Sequence, residues 1–542
     1  MSSARARWLL LLTLAVGILA LGAVWYKASR LSEAHPPQPG GTYVEGVAGA
    51  PSHINPLFDS TNDVDKDLVA LIFSGLTRLG PDGEVLPDLA ESWDISNDGL
   101  TYTFHLRDGV LWHDGQPFTA DDVVFTFKAL QDDNYRGEPA RAELFRSLTV
   151  AKIDDLTVTI TLAQPFAPVL AYLSIGILPQ HLLGDLDASQ LYASPFNQQP
   201  VGTGPFRLVD LSGDHAVLTS NPTYHLGEPY LRRLELRFYT DEPTLLKALK
   251  DGQVLGAFFR SPLSDVDRQY LEGNDRWQIL QLPSTTYTIL YFNDTLPQLQ
   301  DKQVRQALAY ATDRDTIAAT ILDNQAVRSD SPIPAGTWAY YSALDGYSYD
   351  PTQAASLLDQ AGWVLQLNGV RAKDGQELRL NLVTNSDDLR TAVAGAIARA
   401  WSALGVQTTV STQQPTNLLR DMLMPHQFDV ALYGFDSGLD PDPYPAWHSS
   451  QTAAGGNNLA GFADPQSDAL LEQARQTSDV ATRKVLYRQF QEIFATEMPS
   501  LPLYQRTLTY VIDGRLQGVE PLVLFDSSSR FTEVRQWHLE AK

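Results

Sequence analysis

The chain of 542 residues contains no cysteine. This absence excludes disulfide bonds, zinc sites with cysteine ligands, iron–sulfur clusters and thiol catalysis. It also excludes attachment of a lipid to an N-terminal cysteine. If the protein is held at a membrane, a different element must hold it there.

Positive charge is also scarce, with 40 Lys and Arg against 64 Asp and Glu, a formal net charge of −24 and a pI of about 4.7. Binding to phosphates requires a basic surface, so nucleic acid is excluded as a partner. The ten histidines are scattered without the spacing of a metal site. We therefore expect no metal and no cofactor.

Long apolar runs are absent after residue 26, but one occurs before it. Trp8–Tyr26 is 19 residues of almost unbroken apolar sequence, which as a helix spans the ~30 Å bilayer core. Secretory apolar regions are shorter, about 7–15 residues. We predict that residues 1–30 are an uncleaved membrane anchor; the alternative is a signal peptide cleaved near Ala20-Leu21-Gly22. Residues 31–41, rich in Pro and Gly, predict a linker.

The remaining chain is globular in composition, with 44 % hydrophobic and 19 % charged residues, and its length suits two or three domains. Strand and helix patterns alternate irregularly, which favours an α/β fold over a sandwich or a bundle. The motifs of serine hydrolases, zinc proteases, β-lactamases and P-loop proteins are missing. We therefore expect a protein that is not an enzyme.

The stretch Glu91–Phe127 has the most specific pattern. Apolar and polar residues alternate over Leu100–Leu106, as in a half-buried strand. Thr119 is placed to cap a helix whose first turn holds Asp121 and Asp122. Three turn signals separate the elements: Asn97-Asp98-Gly99, Asp108-Gly109 and Asp114-Gly115. The pattern predicts three strands followed by a helix.

The residues of this stretch resemble the signature of the bacterial extracellular solute-binding proteins of family 5, the peptide- and nickel-binding receptors of ABC importers. Further motifs similar to those of the family follow in its order, from Thr42 to about Leu503. They are Ile54–Leu57, Phe73–Thr77, Pro200–Phe206, Val304–Arg314, Pro332–Pro334, Tyr349–Pro351, Ala361–Trp363, Glu497–Pro499 and Pro502–Tyr504.

The resemblance implies an α/β, two-lobed, periplasmic-binding-protein type II-like fold, here preceded by an N-terminal transmembrane helix. Hinges are expected near Leu282–Thr285 and Leu501–Tyr504. The implied parts are lobe 1 at 42–283, with a subdomain inserted at about 61–198, lobe 2 at 284–501, and a C-terminal return to lobe 1 at 502–542.

The predicted ligand site centres on Phe428–His448, where a buried strand through Val430 and Leu432 runs into a loop rich in Asp, Gly and Pro. In peptide-binding relatives an Asp of this loop pairs with the peptide's α-amino group, and Asp436 is the nearest match. Asp442 is expected to be a solvated turn residue. The candidate ligand-binding residues are Tyr433, Gly434, Phe435, Asp436, Asp440 and Trp447, with Trp338 and Asn458 from other segments.

The expected function is that of an extracytoplasmic receptor that binds di- or oligopeptides and delivers them to the permease of an ABC importer. An oligosaccharide is the alternative ligand, because Trp447 and Trp338 could stack on sugar rings. A receptor that senses its ligand without transport is a third possibility. We expect a monomer on the outer face of the bacterial membrane, held by residues 8–26.

Overall fold

The computed structural model describes residues 39–540, apart from residues 345, 454, 455, 521 and 522. The predicted membrane segment Trp8–Tyr26 and most of the predicted linker therefore lie outside the described residues. Among the residues described, no helix is both long enough and apolar enough to cross a bilayer.

Strands and helices alternate along this part of the chain. The strands are β1 Thr42–Ala48, β2 Thr77–Leu79, β3 Val85–Pro87, β4 Ala90–Ile95, β5 Thr101–Leu106, β6 Leu148–Asp154, β7 Thr157–Leu162, β8 Phe206–Leu211, β9 His215–Ser220, β10 Arg233–Tyr239, β11 Gly256–Phe259, β12 Trp277–Phe292, β13 Ala326–Arg328, β14 Val364–Leu365, β15 Arg371–Lys373, β16 Gln376–Glu377, β17 Arg379–Asn385, β18 Gln407–Gln413, β19 Val430–Asp436, β20 Ser500–Asp513, β21 Leu516–Gln517 and β22 His538–Leu539. The α-helices are α1 Asp63–Ile72, α2 Ala120–Gln131, α3 Pro139–Arg146, α4 Val169–Tyr172, α5 Gln180–Leu183, α6 Ala188–Tyr192, α7 Glu242–Lys250, α8 Asp265–Glu272, α9 Pro297–Gln300, α10 Lys302–Tyr310, α11 Arg314–Thr320, α12 Pro351–Gln360, α13 Asp388–Ala403, α14 Pro415–Asn417, α15 Tyr444–Trp447, α16 Pro465–Gln476 and α17 Val480–Glu497.

An eleven-stranded sheet forms the central layer, in the order β18-β17-β19-β12-β20-β11-β1-β10-β9-β8, with β13 paired to β20. The sheet contains both parallel and antiparallel strand pairs. β17 runs parallel to β18 and β19, and β1 runs parallel to β10 and β11, whereas β12 pairs antiparallel with β19 and β20. The predicted α/β class is confirmed.

In the part of the sheet from β17 to β12, both faces are largely buried, whereas β18 is a mostly exposed edge strand. Because side chains alternate along a strand, Leu290 and Phe292 of β12 enter a core with α10, α12 and α13. Ile289 and Tyr291 enter the opposite core with α16 and α17. We call this part, with its two cores, the second half of the molecule. Coverage of both faces explains why the strand from Val430 to Leu432 is apolar throughout, as predicted.

The rest of the sheet, from β11 to β8, belongs to what we call the first half. One face packs with α1, α2 and a separate four-stranded antiparallel sheet, β4-β5-β7-β6. The opposite face packs with α7 and α8. The C-terminal segment returns to this half, where Leu524, Phe531 and Trp537 are buried.

Two of the three strands predicted in Glu91–Phe127 and the helix after them are confirmed, whereas the third strand is a single bridge. β4 and β5 form a hairpin, Leu111 bridges Pro117, and α2 follows. The Thr119 side chain caps α2, and the Asp122 carboxylate accepts the Thr119 N–H in return, at 2.9 Å. The local signals sufficed here because each turn and cap is made by residues within the stretch.

The long strands β12 and β20 join the two halves. Their pairing register is irregular between Pro283 and Tyr287 and again between Thr288 and Ile289. The predicted hinges lie at these positions, although their motion stays a prediction. Leu503 and Tyr504 are buried in the second half, so that half extends past residue 502, where the C-terminal return was placed.

Candidate functional site

A cavity of about 1070 Å³ lies where the two halves face each other. Pockets for small molecules usually measure ~300–1,000 Å³, so this one can hold a larger ligand. The first half contributes parts of α1, α3 and α4 and the C-terminal segment 525–535. The second half contributes Asp436, Gly438, Leu439, Pro445 and Arg475.

The halves touch beside the cavity through backbone hydrogen bonds. Ala167 N–H donates to the Arg475 carbonyl at 2.8 Å, and Trp338 N–H donates to the Asp82 carbonyl at 2.9 Å. The cavity is therefore bounded by direct contacts between the two halves.

The acidic loop 436–448 forms the wall of the second half, and two of its carboxylates are already paired. The Asp440 carboxylate accepts hydrogen bonds from both terminal nitrogens of Arg483, at 2.8 and 2.7 Å. Asp440 is 4 % exposed. Asp442 accepts from Arg475 Nε at 2.6 Å and from the Tyr444 N–H at 3.1 Å. Buried charges require such partners. These pairs fix the loop to α16 and α17.

The prediction that Asp442 is a solvated turn residue is wrong. Its side chain is buried between the loop and α16. Burial raises the pKa of the Asp442 carboxyl, and the Arg475 guanidinium opposes this shift. The two prolines around Asp442 correctly indicate a turn. They do not show that α16, about thirty residues later in the chain, covers this turn.

Asp436 differs from its two neighbours. It ends β19, is exposed and lines the cavity. Its carboxylate accepts the Gly438 N–H at 3.0 Å and the Thr285 hydroxyl at 3.4 Å. Within the described chain no Lys, Arg or His nitrogen pairs with it. Of the predicted ligand-binding residues, Asp436 is the one that faces the cavity.

The predicted aromatic contacts lie elsewhere. Trp447 is fully buried, edge to face with Phe494 at 4.6 Å and stacked on Tyr291 at 5.9 Å. Trp338 is 8 % exposed and lies beneath the Arg483 guanidinium, 4.9 Å from its ring centre. Neither lines the cavity, so neither has the predicted position for stacking on a ligand.

Asn458 is also placed in the interior rather than at the cavity. Its amide donates to the carbonyls of His448 and Phe462, at 3.1 and 2.8 Å, and accepts the Phe462 N–H at 3.1 Å. All of these bonds hold one loop. The predicted contact of Asn458 with a ligand does not match this arrangement.

Tyr433, Gly434 and Phe435 form the end of β19 and are partly buried. The Arg390 guanidinium lies over the Tyr433 ring, 5.5 Å from its centre. A Cβ at Gly434 would lie 2.6 Å from a terminal nitrogen of Arg390. These three residues bring the chain to Asp436, but they do not line the cavity themselves.

The wall of the first half depends on a buried arginine. Arg530 donates to Glu45 of β1 at 2.8 Å and to both carboxylate oxygens of Asp67 of α1 at 2.8 and 2.6 Å. All three side chains are at most 1 % exposed. Burial raises the pKa of Asp67 to about 6, although Arg530 opposes the shift. This cluster fixes the C-terminal segment 525–535 to the first half.

The loop Gly202–Pro205 supports the same wall from behind. A Cβ at Gly202 would lie 1.8 Å from the carbonyl oxygen of Ile72, so only glycine fits against the end of α1. His113 fastens this loop, since its Nδ1 accepts the Gly202 N–H at 3.2 Å and its Nε2 bonds to the Gly204 carbonyl at 3.0 Å. His113 thus has a structural role in this loop.

The cavity offers charges and hydrogen-bond donors and acceptors on both walls. In the residues that the structure describes, no group of three or more His, Cys, Asp or Glu side chains is arranged to hold a metal ion. Sequence reasoning missed Arg475 and the C-terminal segment 525–535. No local signal marks them, because distant parts of the chain bring them to the cavity.

Comparison with known proteins identifies the family. Residues 84–458 match the model of the bacterial extracellular solute-binding proteins, family 5 Middle. The chain is 29 % identical over 519 residues to the oligopeptide-binding protein AppA of Bacillus subtilis, covering 94 % of each. It is 30 % identical over 507 residues to the dipeptide-binding protein of Escherichia coli, covering 89 % of this chain and 92 % of that protein.

A solved structure gives the same result. The structure of NikZ from Campylobacter jejuni in complex with Ni(L-His) matches with a TM-score of 0.65 and 31 % identity, over 92 % of this chain and 99 % of that one. The resemblance seen in Glu91–Phe127 is confirmed. The chain belongs to the bacterial extracellular solute-binding proteins of family 5.

Proposed function

We propose that this protein binds a peptide in the cavity between its halves and passes it to the permease subunits of an ABC importer. Two of the relatives reported above are named as oligopeptide- and dipeptide-binding proteins, which supports a peptide as the ligand. The volume of the cavity agrees with a ligand of several residues.

The observation that carries this proposal is the contrast within the acidic loop. Asp440 and Asp442 are neutralised by arginines, whereas Asp436 lies at the cavity without a cation partner in the described chain. A carboxylate in this position suits the ammonium group of a peptide N-terminus. Charge-assisted hydrogen bonds of this kind are roughly twice as strong as neutral ones.

The proposed mechanism has two lobes that close on the peptide. Lobe 1 comprises 42–283, with an inserted subdomain at about 61–198, and the C-terminal return after Tyr504; lobe 2 comprises 284–504. The irregular pairing of β12 and β20 supports hinges at these positions, because a hinge concentrates the backbone rotation in a few residues. Residues 8–26 would hold the protein, as a monomer, on the outer face of the membrane.

The test combines native mass spectrometry with calorimetry on the full-length protein. Free peptides of three to nine residues are offered as a pool, and a retained peptide is then titrated with a free or an N-acetylated terminus. Breaking a buried charge pair costs about 2–5 kcal/mol, so acetylation or Asp436→Asn should weaken binding roughly thirtyfold or more.

Asp374→Asn is the matched control. Asp374 is an exposed turn residue between β15 and β16, so this variant loses the same charge outside the cavity. Equal affinity of the Asp436→Asn and Asp374→Asn variants would contradict the pairing. A co-purified sugar, with binding insensitive to Asp436→Asn, would favour an oligosaccharide. Binding without uptake through a co-expressed permease would favour a sensor.

A further inference from the structure

Arg535 lines the cavity from the C-terminal segment and is half-buried. Its guanidinium forms no hydrogen bond or ion pair with any described residue, although one of its terminal nitrogens approaches the loop at Gly227. A guanidinium has five N–H donors in a planar fork. Arg535 therefore presents an unused cation to the cavity.

A second arginine lines the same part of the cavity. Arg78 of β2 donates to Glu533 at 3.1 Å through one terminal nitrogen. Its Nε is buried and has no hydrogen-bond partner among the residues described. Tyr224 also lines this region. Burial and Asp88 raise the pKa of the Tyr224 hydroxyl, and Arg78 and Arg535 oppose the shift, so both cations act on this phenol.

The carboxylates in this region already have partners. Glu533 is paired with Arg78. Asp88 contacts His225 at 2.7 Å and accepts the Gly75 N–H at 3.2 Å. Asp526 accepts the N–H groups of Ser528 and Ser529 in the 3₁₀-helix Ser527–Phe531. None of these carboxylates pairs with Arg535 in the structure, so its charge is not neutralised.

We propose that Arg535, together with Arg78, binds a carboxylate of the ligand on the wall opposite Asp436. This inference rests on the proposed function, because one peptide would supply both the ammonium for Asp436 and the carboxylate. The carboxylate is either the peptide's C-terminus or the side chain of an acidic residue. Both present the planar pair of oxygens that matches a guanidinium.

The test uses calorimetry with defined peptides that all carry a free N-terminus. Oligo-alanines of three to nine residues are compared as acids and as C-terminal amides. A second set, amidated throughout, compares one internal Glu with one internal Gln. The proteins are the full-length wild type, Arg535→Gln, and the control Arg232→Gln, which removes an exposed arginine paired with Glu228 outside the cavity.

We expect the wild type and the Arg232→Gln variant to prefer the carboxylate by roughly tenfold or more, and the Arg535→Gln variant to lose this preference. Preference for the acid over the amide would assign the C-terminus, and preference for Glu over Gln would assign a side chain. Equal affinities in both sets, or a preference that persists in Arg535→Gln, would overturn the proposal. If binding still required a free N-terminus and Asp436, the proposed function would stand; if no peptide bound, both would fail.

Discussion

The two walls of the cavity are built by the same means with the charges reversed. In the first half, the wall segment 525–535 supplies the arginine, and the scaffold supplies the carboxylates Glu45 and Asp67. In the second half, the loop 436–448 supplies the carboxylates, and helices α16 and α17 supply the arginines. Each wall is an irregular segment held by buried ion pairs.

The reversal of charge between the two walls explains how opposite charges come to face one cavity. In each wall, the charged side chains that hold the segment in place are paired with each other. Arg535 on one side and Asp436 on the other line the cavity without an ion-pair partner among the described residues. The charges that stabilise the walls are thus separate from those that we propose bind the ligand, and substitutions can distinguish the two groups.

The largest effect is expected for Arg530→Met. This change leaves Glu45 and Asp67 buried without their cation, which typically costs about 3–5 kcal/mol of unfolding free energy. Urea unfolding of the variant, beside an Arg232→Met control, measures it. Adding Asp67→Leu should recover part of the loss, because one unpaired charge is removed. A loss no greater than that of the control would show that the first wall does not depend on this cluster.

The corresponding change in the second wall is Asp440→Asn. It leaves Arg483 buried with a neutral partner, and we expect a loss of about 3 kcal/mol. Because Asp440 fixes the loop that begins at Asp436, peptide affinity should fall as well. The control Asp374→Asn should change neither quantity. If Asp440→Asn lowered the stability but left the peptide affinity unchanged, the ion pair with Arg483 would not be needed for peptide binding.

A pH dependence tests the support of the first wall. Burial lowers the pKa of His113 to about 4, despite the hydrogen bond to the Gly204 carbonyl. Between this value and the unfolded value of ~6.5 the unfolded chain binds more protons at this histidine, so the contribution of His113 to stability rises with pH, whereas that of Asp67, whose folded pKa is raised, falls. The His113 contribution should gain about 2–3 kcal/mol from pH 4 to 6.5. Unfolding at several pH values should show this difference in pH dependence between the wild type and His113→Gln; the same pH dependence in both would contradict the prediction.

The smallest effect is expected for Asp442→Asn. The variant keeps a side-chain oxygen that can accept the Tyr444 N–H, and Arg475 stays partly exposed and between two aromatic rings. We expect a loss of about 1–2 kcal/mol in the same urea assay. A loss as large as that of Asp440→Asn would mean that both pairs fix the loop equally.

The sequence alone determined much of the fold. Its turns, caps and alternation predicted β4, β5 and α2, and its motifs indicated the family. These features depend only on residues close together in the chain. Thr119 and Asp122, for example, form a capping box at the start of α2. The position of Asp436 at the end of a buried strand could be predicted for the same reason.

The tertiary structure alone decided which residues of the site face the cavity. Asp436, Asp440 and Asp442 look alike in sequence, yet arginines more than thirty residues away cover two of them. Trp447 looks like a ligand-stacking residue but fills a core with Phe494. Arg535 reaches the cavity because the C-terminal segment folds back onto β1 and α1. Burial and charge pairing depend on which distant segments meet, and a pattern of neighbouring residues does not contain that information.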